Sequence, residues 1–347
     1  MTDSVKEKEY PEGINLLYGR MTLFLGLLAV ICSGFYLWNQ QLFDQFGPKL
    51  PADKKIVAVG SSLSQYSLSD DIIDSFINLS QEGRTGLSTY KSIEEIVRNN
   101  PQVESVVVDF SVMATVAYRD YLFFIPAFAQ GQFDFNYPIT DYSNLRDYPL
   151  HLKYFFLSLM NNEWVPNLTY LEKKFSSRDT VDLDFPYLGV YTPKPWSRNN
   201  WNIEGWKERA EQLRWLTGES FPVSKIDLQY AGDILNLAEE QDVQILLYCA
   251  PLHPDVQGLI PEVYWQKYRA FLRQAEASKQ AEVLDFMNFP LPDSAYVNFT
   301  HVNVDGAEMV SRAFRDSLMN SGVLNKSEGR ALKDDAWIDK QNLNNGL

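Results

Sequence analysis

The sequence predicts an α/β protein built on a doubly wound, mostly parallel sheet, with an aromatic-rich insertion and one N-terminal transmembrane helix. Three observations predict it. From residue 55 onward, short apolar runs alternate with amphipathic stretches in the order strand, helix, strand, helix, strand. The third apolar run, "VESVVVDFS" (103–111), is unbroken, as in a parallel-sheet strand buried on both faces. Far upstream, residues 21–38 ("MTLFLGLLAVICSGFYLW") carry no charge.

Taken in order, residues 1–19 are a short charged tail expected in the cytoplasm, and residues 20–39 are the anchor. At about 1.5 Å per residue the uncharged run covers roughly 27 Å, against a bilayer core of about 30 Å. Tyr18, Tyr36 and Trp38 stand where interfacial aromatics belong. The run exceeds the roughly 7–15 residues of a signal-peptide core, and "FYLWNQQLF" is a poor small-x-small cleavage site. Lys6, Lys8 and Arg20 precede the run and the next basic residue is Lys49, which orients the remainder outside the cytoplasm. Residues 40–54, with two prolines and a glycine, read as a linker.

The main domain is expected over 55–321. "KIVAVG" is its first strand. "SLSDDIIDSF" predicts a helix capped by Ser67 or Ser69, and "INLSQEG" a second strand and turn. "LSTYKSIEEIVRNN" is a helix ended by Asn99-Asn100-Pro101. Residues of about 115–222 lose the rhythm and crowd with aromatics, which predicts an insertion shaping a substrate pocket. Then "SKIDLQYAGDILNLAEEQ" (helix), "VQILLYCAP" (strand), "VYWQKYRAFLRQAEAS" (helix), "AEVLDFMN" (strand) and "NVDGAEMVSRAFRDSLM" (helix) resume it. Residues 322–347 form a polar tail.

Hydrophobic residues make up 45% of the 347, ample for a large core, and the net charge is −14. That balance excludes nucleic acid as a partner, because binding phosphates requires clustered Lys and Arg. Cys32 and Cys249 have no neighbours at metal-ligand spacing and read as inert thiols.

Serine nucleophiles need a base within hydrogen-bond reach, a group orienting that base, and donors for the oxyanion. The histidines are only three: His151, His253 and His301. "VAVGSSLS" puts Ser62 just past the first strand, and "NFTHVNVDGAEMVS" puts His301 before the last helix. Together these motifs resemble the SGNH/GDSL hydrolase superfamily, whose first block is a strand followed by Gly-Asp-Ser-Leu and whose last is Asp-x-x-His. The resemblance covers about 56–115 and 225–320. It implies a flavodoxin-like sheet, Ser62 as nucleophile, His301 as base, and Gly83 (or Gly86) as an oxyanion donor. Ser111 stands where an oxyanion asparagine usually follows the third strand, and Asn298 where the family carries aspartate. Three outcomes stay open at Asn298: a weaker dyad, a carboxylate supplied by Asp293 or Asp285, or a degenerate site.

Within the superfamily the anchor and the insertion resemble DltD-like proteins and the O-acyl-transfer proteins of bacterial polysaccharide clusters. "YCAPLHPD" is similar to a Pro-x-His-Pro turn of that group, making His253 and Asp293 candidates for lining the pocket. This implies a single-pass protein of the bacterial inner membrane, with its domain on the periplasmic side. It would act on acyl esters of an extracellular polysaccharide, as esterase or O-acyltransferase, beside a membrane O-acyltransferase partner. That chemistry needs no metal and no organic cofactor. The rival reading is a non-catalytic fold relative that binds glycan or serves as a scaffold. The blander readings are a capping role for Ser62, a backbone-satisfying one for His301, a rigid turn at His253 and an aromatic surface cluster at His151. Trp196, Trp201 and Trp206 suit either sugar stacking or core packing. Asn78, Asn167, Asn298 and Asn325 fit glycosylation sequons, with Asn78 a poor acceptor at a buried strand end.

Overall fold

A computed structural model describes residues 17–31, 33–34, 48–115, 188–194, 204, 224 and 226–324. The chain divides into two units, Met1–Gly47 and Pro48–Leu347. In the first, residues 17–31 are helical, and Leu17, Leu23, Phe24, Leu27, Val30 and Ile31 are among its exposed side chains. Among the described residues no helix is long and apolar enough to cross a membrane. Residues 32 and 35–38 of the uncharged run lie outside the described set.

The second unit contains a five-stranded parallel sheet in the order β2-β1-β3-β4-β5. The strands are β1 (Ile56–Ala58), β2 (Phe76–Asn78), β3 (Ser105–Asp109), β4 (Gln244–Cys249) and β5 (Ala281–Asp285). Successive side chains alternate between faces. Ile56, Ala58, Val107, Leu246 and Tyr248 form one core with Val310, Phe314 and Leu318 of α5 (Val304–Ser321). Val57, Val106 and Ile245, on the alternate face, are equally buried. Burial on both faces explains why these strands read as unbroken apolar runs. Each large core side chain removed from water contributes roughly 1.5–3 kcal/mol. The other helices are α1 (Ser62–Ser67), α2 (Gly86–Asn99), α3 (Ile226–Gln241) and α4 (Glu262–Glu276). Buried Asp227 of α3 accepts from Gly86 N at 2.8 Å, fixing the start of α2.

Three local expectations change. The helix after β1 begins at Ser62 and ends at Ser67, and "SLSDDIIDSF" is mostly turn. Ser61 is the cap, and Asn78 Nδ2 donates to the carbonyls of Ser64 (2.9 Å) and Leu68 (2.7 Å), ending the helix there. Those bonds also occupy the amide that a glycan would need. Residues 48–54 are attached to the domain: Asn100 accepts from Leu50 N at 2.7 Å and donates to Pro48 O at 2.7 Å. Past α5, Gly322 takes the left-handed conformation of a helix stop, and Leu324 returns into the core. His151, Trp196, Trp201, Trp206 and Cys32 lie outside the described residues, as does most of 115–222. Cys249 is buried, and desolvation pushes its thiol up to about 12, which accounts for an inert group.

Candidate active site

Open parallel sheets bind ligands at the carboxyl ends of the strands, where strand order reverses. Here the reversal falls between β1 and β3, and the chain leaving β1 carries residues 60–62. Ser61 caps α1, its Oγ accepting from Leu63 N at 3.3 Å. Asp109, at the end of β3, grips Ser61 twice: Oδ1 accepts from Ser61 N at 2.9 Å and Oδ2 accepts from Ser61 Oγ. Gly60 has to be glycine. A Cβ there would sit 2.2 Å from Asp109 Oδ1 and 2.5 Å from Ser64 Oγ. Strand, cap and carboxylate together fix half-buried Ser62 as the first residue of α1.

His301 arrives on a hairpin. β6 (Tyr296–Asn298) and β7 (His301–Val302) pair antiparallel, with Asn298 opposite His301 across residues 299–300. Asn303 then caps α5, accepting from Gly306 N at 3.0 Å and donating to Ser294 O at 2.7 Å. Gly306 lies so close to the hairpin that a Cβ would be 2.2 Å from Ala295 O. This packing carries His301 back to the sheet edge, with Nε2 2.8 Å from Ser62 Oγ.

Asn298 settles the tautomer. Its Oδ1 accepts from the main-chain N–H of Thr300 and of His301, both at 2.9 Å. The amide oxygen is therefore the atom that faces His301 Nδ1, at 3.1 Å, and Nδ1 carries the proton. Thr300 Oγ1 bridges the pair, 3.0 Å from Asn298 Oδ1 and 3.2 Å from Nδ1. With Nδ1 protonated, the Nε2 lone pair is free to accept from Ser62. The group that faces His301 Nδ1 is thus a neutral amide and neither of the two candidate carboxylates. Asp293 Oδ1 instead lies 3.4 Å from His253 Nε2, and Asp285 Oδ1 accepts from Met287 N at 3.0 Å.

His301 is held below the usual imidazole value, down to about 4. Desolvation is the larger cause, Lys194 repels the imidazolium, and Glu82 partly opposes both. Tyr66, one turn along α1 from Ser62, meets the His301 ring edge-on at 5.5 Å and donates its hydroxyl to Glu82.

The remaining expected residues fall as follows. Gly83 sits at φ +77° in the turn after β2, a left-handed conformation that suits glycine. That turn starts beside the segment that carries Ser62, since Gln81 N donates to Gly60 O at 2.9 Å. Ser111 is buried just beyond β3, its carbonyl accepting from Ala114 N at 2.9 Å. Gly86 instead opens α2 against Asp227. His253 is buried under the hairpin, its ring edge-on to Tyr296 and Phe299 and its main-chain N–H donating to Phe299 O at 3.1 Å. Its Nδ1 accepts from Asp255 N, so it acts as the cap of a short turn that supports the His301 hairpin. Asp109, Thr300, Tyr66 and Lys194 were not singled out by the sequence. A carboxylate ending an apolar strand was the one visible signal, at Asp109. Among the described residues no three His, Cys, Asp or Glu side chains gather as they would around a metal ion.

No family model matches the chain, and no curated protein matches it. Four solved chains do. One, given provisionally as a platelet activating factor from Streptococcus pneumonia, is 10% identical, with a TM-score of 0.37 over 84% of this chain and 99% of that one. So distant a likeness carries no argument about this site.

Proposed function

We propose that the protein is an SGNH-like serine esterase or O-acyltransferase, anchored in the bacterial inner membrane and acting outside the cytoplasm on acyl esters of a polysaccharide. The observation that carries the chemistry is the 2.8 Å approach of Ser62 Oγ to His301 Nε2 at the topological switch point. Ser62 Oγ attacks the acyl carbonyl carbon while Nε2 takes its proton. The carbonyl oxygen becomes an oxyanion facing the N-terminus of α1 and the Gly83 turn. Collapse breaks the bond to the alkoxy oxygen, and His301 returns the proton to that leaving oxygen. Water, or a sugar hydroxyl, then attacks the acyl-serine under the same base, giving a free acid or a new ester and restoring Ser62.

The anchored location is supported by the uncharged run at 21–38 and by apolar side chains exposed around its described helix. The glycan target and a membrane O-acyltransferase as acyl donor rest on the DltD-like resemblance. The rival, a degenerate glycan-binding or scaffold subunit, is favoured by Asn298 in the aspartate position and by Ser111 in the asparagine position.

A fluorophosphonate probe separates the two. The full chain is expected to label and to cleave p-nitrophenyl acetate, with both lost in Ser62→Ala. An unlabelled wild-type chain that leaves the ester intact supports the scaffold instead.

A further inference from the structure

Residues 188–194, the described return of the insertion, form a strap over the site. Gly189 N donates to Leu79 O at 3.0 Å and Thr192 N to Gln65 O at 3.4 Å, while Gln65 Nε2 donates to Val190 O at 3.3 Å. Gly189 approaches Ser80 so closely that a Cβ would be 1.9 Å from its carbonyl oxygen. Tyr191 packs on Tyr296, Val302 and Ala307, and Val304 N donates to Lys194 O at 2.9 Å. The strap is thus tied to α1, which carries Ser62, and to the first residue of α5, three positions after His301.

Its end presents Lys194. The half-buried ammonium lies 4.0 Å from the centroid of the Tyr66 ring, the same ring that meets His301 edge-on. Among the described residues Lys194 forms no ion pair, and the carboxylate at the other end of the same ring, Glu82, accepts from the Tyr66 hydroxyl. A partly desolvated ammonium loses hydration, and one aromatic face returns only part of it. A main-chain bond fixes the backbone at Lys194, beside the ring that meets His301, in a chain whose net charge of −14 otherwise repels anions.

We propose that Lys194, on the face of Tyr66, is a subsite for a carboxylate carried by the substrate next to the ester that Ser62 attacks. The glycan is then an acidic, uronate-bearing one. This rests on the Ser62–His301 reading for the position of the ester, whereas binding of the carboxylate is measurable without turnover.

The test uses the full chain carrying Ser62→Ala and two probes: O-acetylated oligogalacturonate and the same oligomer with its carboxyl groups reduced to alcohols. Calorimetry is expected to give at least tenfold tighter binding of the acidic oligomer, with the preference falling as salt rises. Adding Lys194→Gln is expected to abolish the preference. Lys194→Arg is expected to keep most of it, which separates loss of charge from loss of fold. Equal or undetectable binding of both oligomers, or a preference that survives Lys194→Gln, overturns the subsite. A wild-type chain that fails to take the fluorophosphonate, with the acidic preference intact in the binding assay, overturns the esterase reading and leaves the subsite standing.

Discussion

At His301 the proposed chemistry needs the neutral ring, because only an unprotonated Nε2 can take the proton of Ser62. Burial and Lys194 lower its pKa to about 4, so the ring stays neutral through mildly acidic pH. An imidazole in water would titrate near 6.5. The acid limb of kcat/KM for p-nitrophenyl acetate is therefore expected near pH 4, with a flat profile from pH 5 to 7; a limb near 6.5 contradicts the burial of the ring. Linkage has the matching sign. The unfolded chain binds this proton below about 6.5 and the folded chain only below about 4, so stability falls as pH drops through that window. Asn298 supplies orientation without charge. Asn298→Asp places a carboxylate against Nδ1, stabilises the imidazolium and raises its pKa. The variant is expected to move the acid limb up by a unit or more and to speed turnover above it by roughly tenfold or more. A pH–rate profile of the variant checks both, and an unmoved limb shows that the side chain at 298 does not govern the ring.

At the scale of elements, Ser62 is held by contacts between segments that are remote in sequence. Ser62 and His301 were legible because each follows a strand or precedes a helix in a recognisable short motif. Asp109 was not, because its bonds to Ser61 span 48 residues and exist only once β1 and β3 pair. The six residues of α1 were missed for a different reason. They make less than two turns, too few for an apolar period to show, and the capping serines at 67 and 69 drew the expected helix downstream. The motif alone left Asn298 open between a weaker dyad, a carboxylate supplied from elsewhere and a degenerate site. The hairpin register, which puts it opposite His301 with its oxygen fixed by two main-chain donors, is what makes it an orienting group. Gly60→Ala tests the cradle. The added methyl meets Asp109 and Ser64, so β1, β3 or α1 has to shift at a cost of about 1–3 kcal/mol. A lowered thermal midpoint together with at least tenfold slower fluorophosphonate labelling is expected. Unchanged labelling shows that Ser62 does not depend on this contact.

For the whole molecule, the parallel order explains why one edge of the sheet gathers everything the proposed chemistry uses. The carboxyl ends of β1, β2 and β3 supply Ser62, the Gly83 turn and Asp109, and the hairpin and strap close over the same edge. For the N-terminal unit the proposed task is anchoring, and it rests on composition. A helix whose leucines, phenylalanine and valine are exposed on all sides has no polar face to turn to water. Leu28 and Val30 lie near the middle of the uncharged run, and an arginine at the centre of a spanning helix costs about 2.5–3.5 kcal/mol. The full chain is expected to remain in the membrane pellet after alkaline carbonate extraction. The Leu28→Arg/Val30→Arg chain is expected to enter the supernatant while still taking the fluorophosphonate at Ser62. Extraction of the unaltered chain by carbonate shows instead that this helix lies against a surface or a partner rather than across a bilayer. Retention of the labelled double variant points to a second attachment within Pro48–Leu347.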